Sequence, residues 1–190
     1  MTNKIESIIT EIFDLYEKHG DEDYIGEPVS QLEHMSQAAQ LAIEKGSDDE
    51  VVLAAFFHDI GHICVKQNDA NSMEGYGIKS HEKIGGDYLR AKGFPERIAR
   101  LVESHVPAKR YLTYKYPEYY NGLSEASKKT LEFQGGKMDA AEADAFERDD
   151  IFETSILLRQ WDELAKEKDI PILDFDDLKD RARRVLQSGA

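Results

Sequence analysis

Apolar side chains recur along this chain at helical intervals. Ile5, Ile8, Ile9, Ile12, Phe13 and Tyr16 share one face of a first helix, which Gly20 closes. His19 in its last turn suits the negative end of the helix dipole. Asp21 to Pro28 is a polar turn containing Tyr24, Gly26 and Glu27. Ser30 and Glu33 then stand at capping-box spacing, ahead of a second helix with Leu32, Met35, Ala39 and Ala42 on its apolar face. That helix carries His34 and ends before Gly46. Ser47 and Glu50 repeat the capping-box spacing before Val51-Val52-Leu53-Ala54-Ala55-Phe56-Phe57. This run is apolar on every side, which predicts a buried central helix. It ends in His58-Asp59, and Gly61 breaks it.

Residues 63–79 are rich in Asn, Asp, Gly and Ser and read as a long loop. Ser80 is expected to cap a helix that starts at His81 and closes at Ala91-Lys92-Gly93. Pro95 opens the next helix, with Ile98, Leu101 and Val102 inward; its end is expected near His105, with Pro107 beyond. Residues 109–120 then read as a basic, aromatic loop, either pinned by its tyrosines or placed as a lid. Ser124 opens a short helix with Ser127, Leu131 and Phe133, stopped by Gly135-Gly136. Asp139 and Glu142 cap another. A longer helix carries Ile151 to Leu164 and ends at Pro171; on it Arg159 and Asp162 share a face, a spacing that ordinarily gives a surface ion pair. A terminal helix, about residues 175–187, is expected to pack outside a core spanning about 5–168. The fold class is therefore all-α, a single compact helical-bundle domain over residues 1–190.

Charge narrows the partners. Lys plus Arg is 24, Asp plus Glu is 38, and the net charge is −14. This balance argues against nucleic acid and anionic membrane surfaces, but leaves room for a small anionic substrate met by a few local cations. No apolar run approaches the ~20 residues of a membrane span, and the N-terminus shows no signal-peptide pattern, so a cytoplasmic location is expected. Cys64 is the only cysteine, which excludes an intrachain disulfide and a cysteine-based zinc site; it reads as a half-buried filler.

The chemistry centres on His58-Asp59. Titratable groups at the end of a buried apolar helix are costly unless paired or metal-bound. An imidazole and a carboxylate together suit Fe, Mn or Zn. Adjacent helical residues point about 100° apart, so further ligands must come from other segments. His34 and Asp162 supply them, and the ordered set His34, His58-Asp59, Asp162 resembles the pattern of the HD-domain superfamily. His81 and His105 suit a second metal, with the two oxygens of Asp59 bridging both ions. Six protein ligands across two metals leave open positions for substrate and oxygen.

A narrower resemblance rests on longer segments. They are Tyr24-Ile25-Gly26-Glu27-Pro28-Val29-Ser30-Gln31-Leu32-Glu33-His34, Phe57 to His62, Gly75-Tyr76-Gly77 leading to His81, Ser104-His105-Val106, Lys109-Arg110-Tyr111, Thr130-Leu131-Glu132, Gln134-Gly135-Gly136 and Arg159-Gln160-Trp161-Asp162. Through these the chain resembles the HD-domain mixed-valent diiron oxygenases of the PhnZ/TmpB type, dioxygenases that cleave the C–P bond of organophosphonates. The likeness extends to about Ile170. It implies two Fe ions in an Fe(II)/Fe(III) state, with dioxygen as co-substrate. It implies that His34, His58, Asp59 and Asp162 hold one iron, and that Asp59, His81 and His105 hold the other. Lys109, Ser127, Arg159 and His62 would bind the phosphonate, Glu27 would face an ammonium group of the substrate, and Tyr24 would gate the open iron position. The implied substrate is a 1-hydroxy-2-aminoethylphosphonate, either the primary amine, giving glycine, or the N-trimethylated form, giving glycine betaine. The tyrosines of residues 111–120 could cage a quaternary ammonium. A 2-oxoglutarate-dependent hydroxylase would supply the C1 hydroxyl. The rival readings are a metal-dependent HD-domain phosphohydrolase acting on a small phosphate ester, and a helical module without activity.

Overall fold

The structure is a computed structural model that describes residues 2–24 and 26–189. Met1, Ala190 and Ile25, the last being one position of the segment 24–34, lie outside the described residues. Among the described residues ten α-helices run in order: α1 Thr2–His19, α2 Gln31–Glu44, α3 Asp49–Phe57, α4 His81–Lys92, α5 Glu96–Lys115, α6 Pro117–Gly122, α7 Glu125–Phe133, α8 Ala140–Glu147, α9 Phe152–Leu164 and α10 Phe175–Ser188. Among the described residues the only strand-like pairings are the isolated bridges Asp23–Ser30 and Ser72–Ile78. The all-α expectation holds.

The all-apolar α3 is the axis of the bundle. Val52 to Phe57 have no exposed surface at all. Full burial of a large apolar side chain contributes roughly 1.5–3 kcal/mol, so this segment anchors its neighbours strongly. Helices α1, α2, α5, α9 and α10 surround it. The Tyr16 ring of α1 stacks on Phe56 at 4.5 Å, and its hydroxyl donates to the Phe56 carbonyl at 3.3 Å. From α10, Phe175 meets Phe13 at 5.2 Å, and Leu178, Ala182, Val185 and Leu186 are buried in the same core.

The helix ends mostly follow the capping logic. Ser30 and Glu33 form a capping box, as do Asp139 and Glu142. Two expected caps differ. The cap of α3 is Asp48 rather than Ser47: the Asp48 carboxylate accepts from the Val51 N–H at 3.0 Å. Ser80 does precede α4, but it sits in the left-handed region (φ 55°) and its side chain makes no capping bond. Helix α9 ends at Leu164, well before Pro171, because Ala165 leaves helical geometry at ψ 49°. That exit frees the Ala165 carbonyl for a histidine of the site.

The largest departure is at Pro107. Helix α5 does not stop near His105; it passes through the proline to Lys115. A proline inside a helix removes one N–H bond and costs about 3 kcal/mol. Here Ala108, Lys109, Tyr111 and Leu112 beyond it are all buried, so packing of the next two turns outweighs that loss. Tyr111 and Leu112 join a second small core with Met138 and Ala143. The basic, aromatic stretch 109–120 is consequently helical, first as the end of α5 and then as α6, and is not a loop or lid.

Candidate metal centre

Five helices bring the titratable groups together. His34 comes from α2, His58-Asp59 from the exit of α3, His81 from the first position of α4, and His105 from mid-α5. Asp162 comes from α9. All six are buried. A 3-10 turn at Ile60–His62 follows Asp59 and lies directly on the start of α4. Only glycine permits that approach: a Cβ on Gly61 would stand 1.9 Å from the His81 carbonyl oxygen.

The imidazoles form two pairs. His34 Nε2 lies 3.0 Å from His58 Nε2, and His81 Nε2 lies 2.9 Å from His105 Nε2. Each ring is oriented from behind by a backbone carbonyl. The Nδ1 atoms of His34, His58, His81 and His105 lie 2.8, 2.8, 3.2 and 2.7 Å from the carbonyls of Ala165, Ala55, Ile78 and Val102. A carbonyl only accepts, so each Nδ1 carries a proton, and a ring in its neutral form turns a bare lone pair inward at Nε2. Two bare nitrogens 3 Å apart repel unless a proton or cation stands beside them. Asp59 joins the pairs. Its Oδ2 lies 3.6 and 3.5 Å from His34 and His58, while its Oδ1 lies 3.2 and 3.4 Å from His81 and His105. Asp162 Oδ1 adds to the first pair, 3.4 Å from His34. Imidazole nitrogens and carboxylate oxygens converging with carbonyls fixing the rings are the donor set and outer support of a metal site. His34, His58 and Asp59 lie close enough together to hold one ion; Asp59, His62 and His81 form a second such group.

The charges agree with this arrangement. Burial works against the Asp59 carboxylate, yet His58 and the hydrogen bonds of His105 and His81 hold it well below the usual carboxylate range. Burial likewise opposes Asp162, and Arg159 and His34 hold it well below that range. His58 is pulled down by burial but carried up to about 9 by Asp59 and Asp162. Burial lowers His105.

His62 differs from the four. Its Nδ1 accepts from the Ile78 N–H at 3.1 Å, so its proton sits on Nε2. Burial and the neighbouring His81 hold its pKa well below normal, which keeps the ring neutral. It stacks on His81 at 4.0 Å and turns an N–H, rather than a lone pair, toward Asp59 Oδ1 at 4.0 Å. Gly77 gives it space, since a Cβ there would lie 2.5 Å from its ring.

A cavity of about 60 Å³ opens over these groups. Tyr24, Glu27, His62, Lys109, Ser127 and Arg159, all expected from the sequence, line it. Tyr24 stacks on His34 at 4.0 Å, and burial with Asp59 and Asp162 nearby pushes its phenol well above 10. Lys109 is buried and donates to Thr130 at 3.0 Å; burial and Arg159 push its ammonium down to about 7. Arg159 is buried too, so its pairing with Asp162 is no surface ion pair. It also donates from Nε to the Tyr119 hydroxyl at 2.8 Å and pairs with Glu163. Glu27 Oε1 accepts from Ser124 Oγ at 2.6 Å and from Lys166 Nζ at 2.9 Å.

Gln31, Tyr76, Thr130 and Gln134 also line the cavity and drew no site assignment from the sequence. All four lie in or beside the segments that carried the resemblance, which was the available signal. Lys166 had no signal, standing beyond any motif in a charged stretch. His19 lies outside the site, paired with Glu22 at 2.7 Å. Of the tyrosines in residues 111–120, none lines the cavity; Tyr119 stands behind Arg159. Cys64 is half-buried against the core, with burial pushing its thiol up to about 11. Among the described residues no helix is long and apolar enough to cross a membrane.

Fold and site together define an HD-domain protein, and residues 31–149 match the HD domain family. The chain is 48% identical over 178 residues to an uncharacterized protein, L432, of Acanthamoeba polyphaga mimivirus, spanning 91% of this chain and 81% of that one. It is 40% identical over 169 residues to the [1-hydroxy-2-(trimethylamino)ethyl]phosphonate dioxygenase (glycine-betaine-forming) of Leisingera caerulea, covering 89% of this chain and 85% of the relative. It is 37% identical over 179 residues to the hydroxymethylphosphonate dioxygenase of Gimesia maris, covering 94% and 88%. The chain therefore belongs to the HD-domain phosphonate dioxygenases, metal-using oxidoreductases.

Proposed function

We propose that this protein cleaves the C–P bond of a small 1-hydroxyphosphonate with dioxygen, releasing phosphate, and that it does so with two iron ions in a mixed-valent Fe(II)/Fe(III) state. The observation that carries this reading is the division of Asp59, one oxygen toward the His34–His58 pair and the other toward His81–His105. A hydrolase working through one ion needs only the first pair with Asp59 and Asp162. His34, His58, Asp59 and Asp162 would hold one iron; His81, His105 and Asp59 would hold the second. The irons would supply the redox chemistry on oxygen and substrate.

The protein supplies position and charge. Arg159 offers a planar fork to a phosphonate, held in place by Tyr119 and Asp162. Lys109 adds an ammonium whose charge is favoured when an anion arrives. The Nε2 proton of neutral His62 and the Ser127 hydroxyl complete the anion contacts. Tyr24 keeps its phenolic proton and lines the cavity beside His34, where it would stand in the open position until substrate enters. Relatives with named substrates act on a hydroxymethyl- and a 1-hydroxy-2-(trimethylamino)ethyl-phosphonate, so a C1 hydroxyl is the shared requirement. A 2-oxoglutarate-dependent hydroxylase would install that hydroxyl in the preceding step.

The test is phosphate release from hydroxyphosphonates by iron-loaded protein, with and without oxygen. Release that requires both iron and oxygen supports the proposal. Equal release under strict anaerobiosis overturns it in favour of the phosphohydrolase.

A further inference from the structure

We infer that Lys166 sets substrate choice, by neutralising Glu27 so that the site takes a short 1-hydroxyalkylphosphonate without a cationic tail. This inference rests on the oxygenase reading and narrows it. Three carboxylates line the cavity. Asp59 is engaged by the histidines and Asp162 by His34 and Arg159, which leaves Glu27 to meet a cation on the substrate. Glu27 is not free to do so. Lys166 Nζ lies 2.9 Å from its Oε1, and Ser124 donates to the same oxygen. The side chains of Glu27 and Lys166 are 9% and 15% exposed, so water screens the pair only weakly. Glu27 is the one ion-pair partner of Lys166 among the described residues.

A substrate ammonium reaching Glu27 would therefore also approach the Lys166 ammonium, and like charges at short range in a shielded pocket repel. The cavity offers a neutral alternative. Gln31 Oε1 is buried, lines the cavity, and has no hydrogen-bond partner among the described residues. Such an acceptor can be satisfied by a hydroxyl or a water as well as by a cation, so the cavity does not require a charged donor. About 60 Å³ holds only a few water-sized groups. The tyrosines of residues 111–120, which could have caged a quaternary ammonium, stand away from it. Hydroxymethylphosphonate, which has no tail, meets all of these conditions.

The experiment compares hydroxymethylphosphonate, 1-hydroxy-2-aminoethylphosphonate and its N-trimethyl analogue on iron-loaded protein. Both kcat/KM in air and dissociation constants under anaerobic calorimetry are measured. The wild type is expected to favour hydroxymethylphosphonate by about tenfold or more in both readouts, the size of effect one shielded charge contact gives. Lys166→Met should shift the ratio toward the cationic substrates by about tenfold or more, chiefly through KM, and Lys166→Arg should keep the wild-type ratio. A wild type that favours either cationic substrate overturns the inference and leaves the oxygenase reading standing. An unchanged ratio in a folded, iron-loaded Lys166→Met protein overturns it as well. If Lys166→Met does not fold, the wild-type ratio decides alone. Oxygen-dependent release from none of the three overturns the oxygenase reading, and this inference with it.

Discussion

Asp59 Oδ1 stands 3.2 Å from His81 Nε2, while the other oxygen of the same carboxylate faces His34 and His58. One side chain thus belongs to both halves of the centre. Asp59→Asn replaces one of those oxygens by an amide NH₂, which donates and cannot ligate. Both metals should be lost or greatly weakened, with turnover down on the order of 10²-fold or more. The measurement is iron per chain beside kcat; an Asn variant that keeps its full iron would show that the carboxylate does not bridge.

Lys109 makes a pH prediction. In the folded protein it gives up its proton near pH 7, below its ordinary 10.5, because it is buried beside Arg159. A phosphonate binds the ammonium form better, so affinity is full below about pH 7 and falls as pH rises through it, by up to about tenfold per unit. Lys109→Met should bind more weakly at pH 6 and lose this slope. The slope surviving in the variant would assign it to another group. Stability moves oppositely: between pH 7 and 10.5 the unfolded chain holds a proton that folded Lys109 does not, so this residue makes stability rise with pH over that window.

Arg159 is held from three sides, by Asp162, Tyr119 and Glu163. Arg159→Lys keeps the charge but loses the planar fork, and is expected to raise KM by about ten- to a hundredfold with less effect on kcat. Arg159→Ala strands buried Asp162 and should destabilise the fold by roughly 3–5 kcal/mol, read in a thermal melt. A lysine variant with wild-type KM would place the phosphonate elsewhere.

Gly61→Ala tests how tightly the two halves are packed. The added methyl meets the His81 carbonyl oxygen at 1.9 Å, a backbone atom that cannot swing aside as a flexible side chain can, so α4 must move away from the 3-10 turn. A loss of about 1–3 kcal/mol is expected, with iron content falling at the His81 side. A melt unchanged from wild type would mean that the contact relaxes at no cost.

Much of this architecture was legible in the chain itself. His58-Asp59 stood out because polar groups at the end of an apolar rod need a reason to be there, whereas His34 and Asp162 were singled out by the ordered pattern that resembles the HD-domain superfamily; the structure brings all four together. Helix existence followed from periodicity, and two of the capping boxes formed as spaced. What failed was local punctuation where packing prevailed. Pro107 looks like a stop, yet the buried face of α5 continues past it as far as Thr113. The loop expected over residues 109–120, whether pinned by its tyrosines or placed as a lid, vanished with it. The Glu27–Lys166 pair was illegible for another reason: 139 positions separate the two, and only the early end of α9 turns the chain so that they meet. The distinct role of His62 likewise depends on which backbone group faces its Nδ1, an N–H rather than a carbonyl, and no sequence pattern reports that.

The central claim is that two metals share Asp59, and iron counting tests it most directly. Wild-type protein, loaded anaerobically and desalted, should hold two irons per chain. His81→Ala and His105→Ala should each hold one while keeping the wild-type helical signal, because the His34–His58 side remains whole. Two irons retained in both variants, or a single iron in the wild type, would contradict the account.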